Sequence, residues 1–293
     1  MGSRASAIDG TARAATVLPV GKVSELLGIP AVTLRTWEAR YGLGPSGRTS
    51  GSHRRYTSAD IKRLRRVQQL IARGVSAGDA ARLSLGGDAT TGHPAHRTQR
   101  LLEAAESLAV TELTDTLVEC FLNWGAVETW TTLVSPAFRT LETRFGRTGD
   151  CTDIELVLAA AVTTSAERYL QLRKLSADKD RPILLVHSPA ERHTLPLVVL
   201  RTALLERSRP VVVVGPDANE RAVLQAIART DPTTVVLWAT IRRPGQLKLR
   251  NRVRETGSPF LLAGPGWPAA AAPIESLVAA LEALTTPRHS TKF

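Results

Sequence analysis

Near the start of the chain, apolar positions recur at helical spacing in short segments broken by Gly and Pro. Val20–Gly28 is predicted to be a helix with Val23, Leu26 and Leu27 on one face. Gly28-Ile29-Pro30 makes a turn, and Pro30 suits the first turn of the next helix, where a missing N–H costs nothing. In that second helix, Ala31–Arg40, Val32 and Leu34 point inward and Arg35, Glu38 and Arg40 stay outside. Two short helices joined by a tight Gly-containing turn form a helix-turn-helix, whose second helix has the shape of the DNA major groove. The segment from Gly44 through Arg48 to His53-Arg54-Arg55-Tyr56 is expected to form a small β-wing. Ser58-Ala59-Asp60 then caps a helix with Ile61, Leu64, Val67, Leu70 and Ile71 on its inner face.

The pattern changes twice more. Ser84–Pro94 is a Gly-containing linker. Arg97–Ala177 is almost free of Gly and Pro and keeps helical periodicity, as at Leu101, Leu102, Ala105 and Leu108, which predicts a helical bundle. From Arg181, short β-rich runs (Ile183–His187, Val211–Val214, Val235–Trp238, Phe260–Leu262) alternate with helices over Leu195–Glu206, Glu220–Arg229 and Gln246–Glu255. That alternation predicts a parallel sheet with crossover helices, closed by a last helix over Ile274–Leu284. The expected architecture is multidomain. Residues 1–16 are a disordered N-terminus and 17–84 an all-α winged helix-turn-helix. A linker over 85–96 leads to a four-helix bundle cap over 97–178. An α/β Rossmann-like domain over 181–286 and a tail over 287–293 complete the chain.

Charge sharpens this division. Of 293 residues, the first 85 carry 14 Lys/Arg against 5 Asp/Glu, a surplus of +9, and the rest carries only +2. A basic end on a near-neutral body fits a nucleic-acid reader with a separate control domain. An apolar content of 43% is enough to build cores. Two cysteines, Cys120 and Cys151, exclude a disulfide scaffold and a Cys-rich zinc site. No apolar run reaches the roughly 18 residues of a membrane span. Residues 1–15 contain arginines but no apolar core, so export is not expected. In the loop after the first Rossmann-type strand, Glu191-Arg192-His193 stands where open parallel sheets bind ligands, beyond the carboxyl ends of their strands. A neutral imidazole there is a common metal ligand.

The N-terminal motifs, Val20-Gly21-Lys22-Val23-Ser24-Glu25-Leu26-Leu27-Gly28-Ile29, Thr33-Leu34-Arg35-Thr36-Trp37-Glu38, Arg40-Tyr41-Gly42-Leu43 and His53-Arg54-Arg55-Tyr56, resemble the winged helix-turn-helix of the MerR family of bacterial transcription regulators. Trp37-Glu38-Ala39-Arg40-Tyr41-Gly42 is similar to the cobalamin-linked CarH/LitR branch. The resemblance implies dimers on an inverted-repeat promoter site. Arg35, Arg40 and Tyr41 would lie at or near the groove, and Arg48, His53, Arg54, Arg55 and Tyr56 on the wing. For Trp37 a place in the core between helix and wing is the favoured reading; for Tyr41 core and contact readings stand level.

Arg181–Leu284 resembles the cobalamin-binding domain of the same branch, with the bundle as its cap. That resemblance makes His193 the lower axial ligand of cobalt, with Glu191 in its motif, Gly215 after the second strand and the Gly264 loop beside the nucleotide tail. Several residues depart from the pattern. Pro196 replaces a glycine after the histidine motif. Trp238 stands where a Ser or Thr lines the pocket for the nucleotide tail, and Trp267 follows the Gly-rich loop. The family's next helix and fifth strand are cut down to the stub Ala269–Ala272. In the cap, Phe145 replaces a Trp, Glu155 is kept, and Leu156 replaces the histidine that becomes an upper cobalt ligand in the light-sensing branch. Leucine cannot ligate cobalt.

The resulting expectation is a cytoplasmic, nucleoid-associated regulator that is not an enzyme. Its partners would be double-stranded operator DNA, further copies of itself (a homodimer or higher) and RNA polymerase, with no membrane. Its C-terminal half would serve oligomerisation, independent of light and cobalamin, without a cofactor. One alternative is a sensor binding cobalamin or another small molecule through His193. A corrinoid-dependent enzyme or carrier is a third class.

Overall fold

The computed structural model describes residues 17–48, 54–72, 75–85, 94–148, 152–174 and 180–286. The residues expected to be a disordered N-terminus, most of the linker and the tail fall outside them. The chain divides into two units, residues 1–87 and 88–293.

In the first unit, α1 (Val20–Leu27) and α2 (Ala31–Tyr41) are joined through Gly28, whose φ of 65° is open to glycine at little cost. Its backbone N–H closes α1 on Ser24, and the Ser24 hydroxyl donates to the Ile29 carbonyl at 2.6 Å. Gly42, at φ 70°, ends α2 in the same way. Val23, Leu27, Leu34 and Trp37 are buried. Leu26 and Val32, expected to face inward, are 52% and 67% exposed, because the buried stripe is only one residue wide per turn on these short helices. Trp37 takes its core place.

Strands β1 (Leu18–Pro19), β2 (Gly47–Arg48) and β3 (Arg54–Tyr56) form a small antiparallel sheet in the order β1-β3-β2. Helix α3 (Ser58–Ala72) buries Leu64, Val67 and Leu70, and α4 (Ala77–Leu85) packs against it. The cap of α3 is Thr57, one residue before the expected Ser58. Its hydroxyl accepts from the Asp60 N–H at 3.2 Å, and Asp60 Oδ2 accepts from the Thr57 N–H at 2.9 Å, a reciprocal capping box.

The second unit opens with four helices: α5 (Pro94–Glu106), α6 (Val110–Thr129), α7 (Ser135–Thr148) and α8 (Thr152–Arg173). Helix α5 starts at Pro94, three residues before the expected Arg97, with the proline in its first turn. Helix α6 is broken at Gly125 (φ 79°, ψ 178°) and leads through a π-helical turn, Trp130–Val134, into α7. The Ala126 N–H exposed by the break donates to Glu206 Oε1 at 2.8 Å, and the Tyr169 hydroxyl donates to the same oxygen at 2.8 Å.

The sheet is parallel, in the order β5-β4-β6-β7: β4 (Ile183–His187), β5 (Val211–Val214), β6 (Thr234–Trp238) and β7 (Phe260–Ala263). Helices α9 (Leu195–Leu205), α10 (Glu220–Thr230) and α11 (Gln246–Glu255) make the crossovers. The central strands β4 and β6 are buried throughout, as expected for a sheet covered on both faces. One face packs Leu184, Val186, Val235 and Leu237 against Val223, Ile227, Leu249 and Val253 of α10 and α11. The last helix, α12 (Leu277–Thr285), starts three residues later than Ile274. Ile274 instead forms a parallel bridge to Ala263, a fifth strand reduced to one residue after a 3-10 turn at Ala269–Ala271.

Candidate functional site

Two surfaces carry chemistry, one in each unit. In the first, α2 buries Leu34 and Trp37 and leaves Arg35, Thr36, Ala39 and Arg40 exposed, so the guanidinium groups of the second helix stand outside the core. Tyr41 is half-buried, with Cε1 3.5 Å from where a Cβ on Gly78 would be, so its ring lies against α4. On the wing, β3 pairs Arg54 with Arg48 and Arg55 with Gly47. His53 and the side chains of Arg48 and Arg54 lie outside the described residues. Neighbouring residues of a strand face opposite sides, so Arg55 and Tyr56 divide between surface and core. Arg55 is half-buried, whereas Tyr56 is fully buried. Tyr56 is therefore not a phosphate contact: its ring fills the interior of the unit.

Sequence reasoning missed what holds the wing. Asp60, 2% exposed, accepts at Oδ2 from the Ser46 N–H (3.0 Å) and hydroxyl (2.8 Å) and from the Thr57 N–H (2.9 Å) and hydroxyl (2.8 Å). Burial by itself would raise this carboxyl, but the donors from Ser46 and Thr57 outweigh it and hold its pKa below the ordinary value. The carboxylate ties the start of the wing to the cap of α3. The visible signal was Thr57-x-x-Asp60, a capping-box spacing.

The second surface is a cavity of about 510 Å³ between the helical bundle and the carboxyl ends of the sheet. It brings together Phe145 of α7, Glu155 and Leu156 of α8, and His193 of the loop after β4, residues from three separate elements. Phe145 and Leu156 are 50% and 66% exposed, an unusual amount of apolar surface for one cavity wall. With Arg192 of the histidine motif, Trp130, Phe138, Arg139, Glu142 and Ile241 complete much of the lining, and sequence reasoning had not picked these five out. Only their place in the fold marks them.

Glu191 is fully buried behind His193. Its Oε1 accepts from the His193 N–H (2.9 Å) and lies 2.6 Å from His193 Nδ1. Its Oε2 accepts from the Thr240 N–H at 2.6 Å. Burial would raise this carboxyl, yet the donors from His193 and Thr240 prevail and its pKa is lowered. An ionised carboxylate only accepts, so Nδ1 donates to Glu191 and Nε2 is the ring nitrogen that Glu191 does not engage. Glu191 is thus a positioning residue and does not line the cavity. Nor do Gly215, exposed at the end of the edge strand β5, or Gly264, Trp238 and Trp267.

Both indoles are buried, 3% and 5% exposed. Trp238 Nε1 donates to Thr240 Oγ1 at 3.1 Å. Trp267 Nε1 donates to the carbonyls of Leu237 (3.2 Å) and Ala263 (3.1 Å) and joins the core under α10 and α11. The loop after β7 presses on the loop after β6. A Cβ on Gly264 would stand 2.2 Å from the Ala239 oxygen and 3.1 Å from Trp238 Cε2, and one on Gly266 would stand 2.6 Å from the Ile241 carbonyl carbon. Neither glycine has room for a methyl group, so the two loops are in close contact here. A cobalamin fits these residues only in part: His193 and the cavity suit a metal-centred ring, while the place for a buried nucleotide tail is filled.

Among the described residues no group of three or more His, Cys, Asp or Glu could hold a bare metal ion, and no helix is long and apolar enough to cross a membrane.

Residues 18–85 match the family model described as MerR HTH family regulatory protein. The chain is 46% identical over 56 residues to the HTH-type transcriptional regulator MlrA of Escherichia coli (strain K12), a match spanning 19% of this chain and 23% of that one. It is 37% identical over 60 residues to the HTH-type transcriptional repressor CarH of Myxococcus xanthus, spanning 20% of each. The matches thus span less than a quarter of these relatives. The structure is similar to a monomethylamine corrinoid protein of Methanosarcina barkeri, with a TM-score of 0.50 at 16% identity, covering 63% of this chain and 95% of that one. At that identity the likeness is one of fold. Residues 18–85 therefore carry a helix-turn-helix that matches the MerR family model, joined in one chain to a helical bundle and a Rossmann-like sheet whose fold is similar to that of a corrinoid protein.

Proposed function

We propose that the protein is a cytoplasmic transcription regulator, not an enzyme, that binds double-stranded operator DNA through its winged helix-turn-helix. The observation that carries this reading is the division of α2: Leu34 and Trp37 are locked in the core while Arg35 and Arg40 stand exposed on a helix closed at its C-terminus by Gly42. A helix so held can enter a major groove as a rigid body, with arginines at base edges and phosphates. Arg48, Arg54 and Arg55 on the wing, with His53 beside them, would add phosphate contacts that position the protein. An inverted-repeat operator calls for two copies, and the C-terminal unit supplies the self-association. RNA polymerase is the partner through which such binding would alter transcription. A gel shift with DNA from upstream of the protein's own gene tests this: a retarded complex that persists against excess unrelated DNA is expected, and its absence overturns the reading.

A second reading adds ligand sensing to the same regulator. The observation favouring it is His193, presented by buried Glu191 at a cavity of about 510 Å³, within the range of small-molecule and cofactor sites. A ligand there would shift operator affinity through whatever difference it makes between bound and free conformations.

A further inference from the structure

We infer that the cavity at His193 selects a metal-centred macrocycle that carries no nucleotide tail. The inference deepens the ligand-sensing reading and rests on it.

Three features point the same way. The first is the donor. Buried Glu191 places Oε1 2.6 Å from Nδ1 and accepts from the His193 N–H, which leaves Nε2 as the ring nitrogen Glu191 does not engage. A histidine braced by a carboxylate through its other nitrogen is a common arrangement for an axial metal ligand, and the brace makes the imidazole more basic. No cluster of further ligands stands around it among the described residues, so the metal must arrive with its other positions already filled. A metal held in a ring meets that requirement.

The second is the wall. Phe138, Phe145 and Leu156 of the bundle oppose the His193 loop, and Phe145 and Leu156 leave half or more of their surface uncovered. A broad apolar face fits that wall. The charged groups at the cavity balance, Arg139 and Arg192 against Glu142 and Glu155, so the ligand's net charge is not what it selects.

The third is the closed groove. Trp238, Trp267 and the loop at Gly264 and Gly266 occupy the space between the ends of β6 and β7, with the indole N–H groups satisfied inside the protein. In cobalamin the tail's own base holds the cobalt face that His193 would take. Exchanging one for the other releases a tail that finds no groove here. In a tail-less ring that face carries only water. His193 Nε2 then donates its lone pair to the metal, the water leaves, and the metal's oxidation state does not change.

The test uses the full chain and absorption spectroscopy of the ring. Diaquacobinamide, hemin and hydroxocobalamin are titrated separately into the native protein and into His193→Ala. A shift of the ring's absorption bands with cobinamide or hemin, lost in His193→Ala, with hydroxocobalamin binding at least about tenfold more weakly, is the expected result. Equal, His193-dependent binding of cobalamin and cobinamide overturns tail exclusion and leaves the ligand-site reading standing. No spectral change with either tail-less ring overturns the inference itself. Trp238→Ser, with folding checked by circular dichroism, adds a second measurement. A gain in cobalamin binding supports the groove argument, and a folded variant without any gain counts against it.

Discussion

Glu191 Oε1 stands 2.6 Å from His193 Nδ1, with the carboxylate fully buried and the imidazole at the cavity. The same carboxylate accepts from the backbone at His193 and Thr240, so it joins the loop after β4 to the loop after β6. Glu191→Gln puts an amide donor among groups that already donate. We expect a loss of about 1–3 kcal/mol in urea unfolding. In a double-mutant cycle with His193→Ala the two losses should fall short of additive, because they share one interaction. Additive losses would refute the coupling.

Two buried carboxylates, Glu191 and Asp60, set an acid limit. The pKa of Glu191 and that of Asp60 are both lowered in the folded state. A group with a lowered folded pKa contributes fully above its unfolded pKa, and the contribution fades as pH falls through the folded value. Stability should therefore hold from neutral pH down to about pH 4 and decline below it. Glu191→Gln and Asp60→Asn should each flatten that decline, as measured by urea midpoints across pH.

Asp60 also makes a prediction about the wing. Asp60→Ala leaves the N–H groups of Ser46 and Thr57 without their acceptor and removes the α3 capping box. A loss of about 1–3 kcal/mol is expected. Because Ser46 starts the wing, operator affinity should fall even at temperatures where the variant remains folded, as read by fluorescence anisotropy.

Wing arginines should act without regard to sequence. Arg54→Ala with Arg55→Ala should weaken binding to operator and unrelated DNA alike and lower the salt slope by about 1 per lost phosphate contact. Tyr56→Ala should behave differently, destabilising the fold by about 3–5 kcal/mol because a fully buried ring is lost. An unchanged salt slope in the double variant would reject the wing assignment.

Leu156 leads to a prediction about light. It lines the cavity at 66% exposure and offers no lone pair to a metal. Operator affinity with added adenosylcobalamin should be equal in darkness and after illumination. A light-induced release from DNA would show that another residue does the sensing.

Much of the fold was legible along the chain because it rests on local periodicity. The runs Ile183–His187 and Val211–Val214 form strands at the expected bounds, and the helix starting at Leu195 begins where its pattern begins. Left-handed turns at Gly28 and Gly42 follow from residue type, since glycine enters positive φ at little cost. The grouping of Phe145, Glu155, Leu156 and His193 came from resemblance, and the cavity brings the four together. Periodicity could not decide sidedness on short helices: it placed Val32 inside, and packing turned it out, while Tyr56, put on the wing by resemblance, is buried by packing. A two-turn helix offers several faces of similar apolarity, and only the neighbouring element selects one. Tertiary structure also decided the roles of Glu191, Trp238 and Trp267. A carboxylate and two indoles near a candidate site can line it or support it. The difference lies in whether their polar atoms are met from inside the protein, which depends on residues such as Thr240 and Leu237 that only folding brings within reach.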